Sequence, residues 1–154
     1  AAMHLAHREL LAAARDGDAV RVEETALYLL RQSCGSDAGE RVRGAAANRA
    51  AALATDTQVL IGGMFSTRVT LKLLADKLGV SSFRLCRAFR QATGGTLHQY
   101  LTDLRLAAAL ERLPEYRERL TDLALDLGFS SHSHFSHAFR GHFGRSPRAL
   151  LQDL

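Results

Sequence analysis

The chain has little of what a disulfide-stapled, membrane-spanning or strand-rich protein needs. Cysteine occurs only twice among 154 residues, proline twice and tryptophan never. The two cysteines, Cys34 and Cys86, are too few for a disulfide framework. Scarce proline, few β-branched runs, and leucine and alanine recurring at helical spacing favour an all-α fold. No apolar stretch approaches the ~20 residues of a membrane span, and the start shows no charged segment leading into an apolar core. A cytosolic protein with no membrane partner is therefore expected. A Gly-rich phosphate loop, a paired acid in a plausible cleft and a nucleophile beside its base are all missing, so neither an enzyme nor a cofactor is implied.

What is present can fold: 47% hydrophobic residues suffice for packed cores in one ordinary domain or two small ones. The net charge of +4 is unevenly spread. Residues 1–66 hold 7 Lys+Arg against 8 Asp+Glu, whereas residues 67–154 hold 13 against 8, with five of the seven histidines. A basic bias on a helical segment suits a polyanionic partner, although by itself it discriminates weakly.

The basic part is also the repeated part. LADKLGVSSFRLCRAF, from Leu74 to Phe89, returns from Leu123 to Phe139 as LALDLGFSSHSHFSHAF, with one extra residue near the turn. Each copy runs from a Leu-Ala pair to a Leu-Gly turn, a Ser-Ser pair and an Ala-Phe-Arg, with Gly94 or Gly144 four residues further on. That layout reads as two helix-turn-helix units in tandem.

Upstream, His4 to Arg15 reads as a helix with Leu5, Leu10, Leu11 and Ala14 on one face, and Asp16-Gly17-Asp18 supplies a stop and a new N-cap. A second helix is expected from Ala19 to Gln32 with Val22, Ala26, Leu29 and Leu30 apolar, then a loop over Ser33 to Glu40. A third, alanine-rich helix is expected from about Val42 to Leu60, ended by Ile61-Gly62-Gly63. Short helices need a partner to bury against. The first two either pack on the third, form a subunit-contacting hairpin, or are the trailing edge of a larger domain. The abrupt opening on Ala-Ala-Met is compatible with a piece of a longer protein.

In the first unit Thr70 caps a helix burying Leu71, Leu74, Ala75 and Leu78, and Gly79 makes the turn. Ser81 caps the next helix, with Leu85, Ala88, Phe89 and Ala92 inward and Ser82, Phe83, Cys86, Arg87 and Arg90 outward. Thr96 caps a longer helix to about Leu113, offering Tyr100, Leu101, Leu104, Ala108 and Leu110 for packing, and Pro114 ends it. The second unit buries Leu120, Leu123, Ala124 and Leu127, turns at Gly128 and is capped by Ser131. Phe135, Ala138, Phe139 and His142 or Phe143 point inward, leaving His132, Ser133, Ser136, His137 and Arg140 outside. Pro147, after Ser146, opens a last helix running to the C-terminus.

In a helix-turn-helix the second helix enters the major groove and touches base edges with exposed residues. Both second helices here carry acid-free outward faces: no acid lies between Ser81 and Gly94, nor between Ser131 and Asp153. A face that only meets water mixes both signs. Arg87 can grip O6 and N7 of a guanine, a contact worth ~1–3 kcal/mol of discrimination. His137, its counterpart, can donate to a purine N7. Phe83 suits either a thymine methyl or a partly buried staple, and Ser133 and Ser136 can donate or accept. Arg90 and Arg140 suit phosphate contacts or local ion pairs. His134, next to Phe135, reads as a structural histidine. The histidines at 132, 134, 137 and 142 spread around the helix with no carboxylate or cysteine, so no metal is implied. Cys86 reads as a small groove-facing side chain rather than a reactive thiol.

At these residues the last ~85 positions resemble the DNA-binding domain of the AraC/XylS family of bacterial transcription regulators. The likeness rests on LKLLADKLGVSSFRLCRAFRQATGGTLHQYL, LRLAAALERL and LTDLALDLGFSSHSHFSHAFRGHFGRSP. It implies seven helices, two helix-turn-helix units joined by a long linker helix, and recognition helices in successive major-groove segments of double-stranded DNA. The base-facing positions then fall on Phe83, Cys86 and Arg87, and on His132, Ser133, Ser136 and His137. Leu97 stands where the family usually has proline, and Leu150-Leu151 replaces an aromatic-Arg pair, which removes one phosphate contact. The likeness also implies contact with RNA polymerase. Residues 1–66 resemble the helical connector after an effector or dimerisation barrel, giving a homodimer through these helices or through the absent domain.

The expectation is thus an all-α transcription regulator. Residues 1–66 form a short helical connector and residues 67–154 the tandem DNA-binding domain, with Ser82, Phe83, Cys86, Arg87, Arg90, His132, Ser133, Ser136, His137 and Arg140 toward DNA. The alternative is a helical interaction or oligomerisation adaptor that contacts RNA polymerase.

Overall fold

In the computed structural model the described residues are 2–33 and 43–153, with side chains over 8–30 and 44–153. Among them all regular structure is helical: α1 Ala2–Asp16, α2 Ala19–Ser33, α3 Arg43–Gly62, α4 Leu71–Lys77, α5 Ser82–Thr93, α6 Leu97–Arg112, α7 Leu120–Asp126, α8 His132–Phe143 and α9 Pro147–Leu151. A 3-10 turn, Leu113–Tyr116, follows α6 and contains Pro114. The expected loop lies outside the described residues, apart from Ser33, which ends α2; so do Val42 and the side chain of Leu5.

The expected caps form. Thr70, Ser81, Thr96, Ser131 and Ser146 each accept, through the side-chain oxygen, the N–H three residues on, at 3.1–3.2 Å. These bonds satisfy amides that a helix start leaves without partners. Thr96 and Gln99 complete a reciprocal capping box, since the Thr96 N–H donates to Gln99 Oε1 at 3.0 Å. Asp18 caps α2 through Arg21 N–H, also at 3.0 Å.

Two apolar cores result, strung along α6. The first gathers Leu71, Leu74, Ala75, Leu85, Phe89, Leu97 and Leu101 with Val20, Ala54 and Ile61 from upstream. The second gathers Leu106, Ala109 and Leu113 with Leu123, Ala124, Leu127, Phe129, Phe135, Phe139 and Leu151. Each fully buried Leu or Phe contributes about 1.5–3 kcal/mol relative to exposure. Helix α3 lies along α5, and its buried residues are Ala50, Ala54, Thr57 and Ile61. Residues on both sides of position 66 therefore share one core.

Several expected faces differ. Leu11 (49% exposed) and Leu30 (66%) lie toward solvent, Ala14 is exposed, and Ala13 and Val20 are the buried residues of this pair of helices. The pair packs through α2 on α4 and α6, not chiefly on α3, and that contact selects a different stripe from the one leucine content favours. Ala92, expected inward, is exposed, as are Leu110 and His142; Phe143 is the half-buried residue of the last two.

At the seam between the cores sits Arg105, 7% exposed. Its Nε donates to Phe65 O (2.8 Å) and its Nη2 to Thr67 O (3.0 Å). The guanidinium also stands 5.7 Å from the Phe129 ring centroid. Burial pulls its pKa down to about 10 despite the opposing pull of Asp18. A single charged side chain thus ties the segment before α4 to the turn of the second unit.

Candidate nucleic-acid interface

The two second helices, α5 and α8, are built alike. A serine caps each start, an aromatic at Phe89 or Phe139 anchors the middle, and a left-handed glycine, Gly94 or Gly144, ends each. Anchoring from below turns the remaining face outward. On α5, Phe83 (43% exposed), Arg87 and Arg90 are exposed and Ser82 is half-buried. On α8, His132, Ser133, His137 and Arg140 are exposed, and Ser136 is half-buried with its hydroxyl 3.3 Å from His132 Nε2. Neither Arg87, Arg90 nor Arg140 makes an ion pair among the described residues. Arg90 instead stacks on Tyr28, 5.5 Å from the ring centroid.

Cys86 is half-buried against the first core, with Glu24 of α2 beside it. Burial, then the nearby Glu24 and Glu23 carboxylates, push its thiol up to about 12. Such a thiol stays protonated and unreactive near neutral pH. His134 is buried, its Nδ1 3.0 Å from Ser130 Oγ and its Nε2 3.5 Å from Asp18. This is a structural position. Among the described residues no group of three or more His, Cys, Asp or Glu is placed to hold a metal ion, and no helix is long and apolar enough to cross a membrane.

Reading the sequence missed the polar joint beneath this face. Asp18, 9% exposed, lies 3.0 Å from His98 Nδ1. Burial alone would raise its carboxyl, but the adjacent His98 ring, the Arg21 amide and His134 together hold it at about 2. Glu24 accepts the N–H groups of Leu97 (3.0 Å) and His98 (2.9 Å) at the start of α6. Asp18 was legible only as a cap, and Glu24 carried no local signal at all.

The joint makes stability depend on pH. Burial lowers the His134 pKa below 6.5, opposed in part by Asp18 and Asp16 and aided by His98 and Arg105. The folded ring therefore stays neutral while the unfolded one takes up a proton, so its contribution is complete above 6.5 and falls as pH drops below it. Asp18, depressed from 3.8 to about 2, contributes fully above 3.8 and loses that contribution as pH falls toward 2. Thermal midpoints should drop between pH 7.5 and 5, and less steeply in His134→Gln; equal slopes would exclude His134 as the source.

The fold and its two capped, outward-facing second helices define a tandem helix-turn-helix protein. A family profile described as a helix-turn-helix domain matches residues 74–153. Over 88 residues, 57% of this chain, it is 38% identical to the HTH-type transcriptional activator RhaS of Escherichia fergusonii and 40% identical to that of Citrobacter koseri, covering 32% of each. The chain thus spans about a third of the length of these curated relatives. Among solved structures it is similar to the C-terminal domain of AraT, a response regulator from Geobacillus stearothermophilus. That match has TM-score 0.63 and 27% identity over 69% of this chain and 88% of that one. It is also similar to a transcriptional regulator with an AraC-type DNA-binding domain from Chromobacterium violaceum, with TM-score 0.57 and 28% identity over 71% and 96%. The chain belongs to the AraC/XylS family of transcription regulators, a family of regulators and not of enzymes. The adaptor alternative is not favoured.

Proposed function

We propose that this chain is a sequence-specific DNA-binding transcription regulator whose α5 and α8 enter successive major-groove segments. The observation that carries the reading is the pair of acid-free, outward faces on two identically capped helices. Between them α6, 16 residues long, is about 24 Å of stiff spacer, which suits recognition helices set about one DNA turn, ~34 Å, apart. Phe83, Cys86 and Arg87 on α5, and His132, Ser133, Ser136 and His137 on α8, are the base-facing set, with Ser82, Arg90 and Arg140 toward the backbone. Residues 67–154 are the DNA-binding domain and residues 1–66 its connector, of which α3 also serves as the wall behind α5. Work in the cytoplasm on the nucleoid, contact with RNA polymerase and a homodimer formed through upstream helices or a further domain complete the proposal. The two RhaS relatives, both activators by name, support activation as its direction.

Selecting fragments bound by the protein from random duplex DNA tests it. Two half-sites about ten base pairs apart are expected, and His137→Ala should blur only the half read by α8. One half-site, unchanged by His137→Ala, would overturn the two-groove reading.

A further inference from the structure

The connector helices sit on the face that DNA would need. A cleft of about 660 Å³ is bounded on one side by Glu9, Asp16, Glu24 and Tyr28 of α1 and α2, and on the other by Phe83, Cys86, Arg87 and Arg90 of α5 together with His137 and Ala138 of α8. A space of that size suits a small molecule, not a duplex. The hairpin is held there by specific contacts. Glu24 caps α6, Asp18 engages His98 and His134, and Tyr28 covers Arg90.

The tandem repeat itself supports a built-in attachment. The extra residue of the second copy is Ser130, and its hydroxyl donates to the backbone oxygen of Asp16 at the α1–α2 turn. Gly17, in that turn, lies against Ser130 with a positive φ of 67°. The position of Arg84, exposed in the first copy, is taken in the second by His134, which is buried against Asp18. The second unit thus differs from the first where the hairpin touches it.

The chemistry of the contacts matches that of a phosphate backbone. Helix N-termini bind phosphate through free amides, and proteins use them on DNA for that purpose. Here the Leu97 and His98 amides at the start of α6 are filled by a carboxylate. Glu9, Asp16 and Glu24 of the hairpin line the same cleft as Arg87 and Arg90 of α5.

We propose that the α1–α2 hairpin is an autoinhibitory strap: its carboxylates stand in for DNA phosphates, and the docked hairpin and the duplex compete for one face. The proposal rests on the DNA-reading role given above. Whatever pulls on the connector from upstream would then set how much of the protein is open to DNA. Opening is a two-state equilibrium, so weakening the strap raises apparent affinity by the increase in the open fraction.

The test uses the whole chain and the duplex found by selection. Glu24→Gln, which keeps a cap acceptor but removes the charge, and Glu24→Ala should tighten binding in that order, with Glu24→Ala about ten-fold or more tighter than wild type. Hydrogen exchange on the wild-type protein is the second measurement and does not depend on how any variant folds. Amides of residues 19–30 should lose protection when the duplex binds, while those of 101–106, bonded within α6, keep theirs. Arg87-dependent binding with unchanged affinity in both Glu24 variants, or a hairpin that stays protected on DNA, would overturn the strap and leave the DNA reading intact. No binding by wild type or variants at low salt would remove both.

Discussion

Arg87→Ala should lose about 5- to 150-fold in affinity for the selected duplex and relax the base preference at one position of the first half-site. That range is the ~1–3 kcal/mol carried by one bidentate guanine contact, at 1.4 kcal/mol per factor of ten. Arg87 is the strongest single candidate on physical grounds. It projects from the first half of α5, where a recognition helix meets base edges, and is exposed. No ion pair among the described residues holds it. Arg140→Ala should behave differently, weakening all sequences alike and lowering the salt slope by about one ion. Titrations of matched and scrambled duplexes at several salt concentrations separate the outcomes. An Arg87→Ala protein that loses matched and scrambled DNA equally would show that Arg87 touches only phosphate.

Why the two outward helix faces could be read from the sequence while the docking of the α1–α2 hairpin could not follows from the range of the interactions. Caps at Thr70, Ser81, Thr96, Ser131 and Ser146 are bonds between residues three apart, and helix faces follow from spacing alone, so both units could be read directly. Glu24 bonds to amides 73 and 74 residues away, and Arg105 to carbonyls 40 and 38 residues back. Neither has a local signature: on a helix, Glu24 and Arg105 read as ordinary solvated charges. The same blindness explains the misread faces of α1 and α2. Leucines dominate their expected core faces, yet packing of α1 on α2 and of α2 on α4 and α6 leaves Ala13 and Val20 buried and Leu11 and Leu30 outside. Spacing within α5 puts Cys86 on the outward face, but Glu24, from outside that unit, lies against it and the residue is half-buried.

Gly79 and Gly128 occupy the same place in the two turns, and substituting alanine at each should give unequal losses. Both adopt the left-handed region, with φ of 64° and 81°. Alanine there costs roughly 1–2 kcal/mol for backbone conformation alone. At Gly79 the cost ends there, because a Cβ would meet nothing within 4 Å. At Gly128 the Cβ would lie 2.7 Å from Arg105 Nη2 and 2.9 Å from the backbone oxygen of Thr67. The backbone oxygen cannot swing aside, and moving the guanidinium breaks its bonds to Phe65 O and Thr67 O. Hydrogen bonds to charged groups contribute about 1.5–3 kcal/mol each. Gly128→Ala should therefore cost about 4 kcal/mol or more, against about 1–2 for Gly79→Ala, in urea unfolding followed by circular dichroism. Because the damage falls on the tie between the two cores, the variant should also lose the half-site read by α8 before the half-site read by α5. Equal losses at the two glycines would show that Arg105 yields freely, and that the seam between the units is softer than its hydrogen bonds imply.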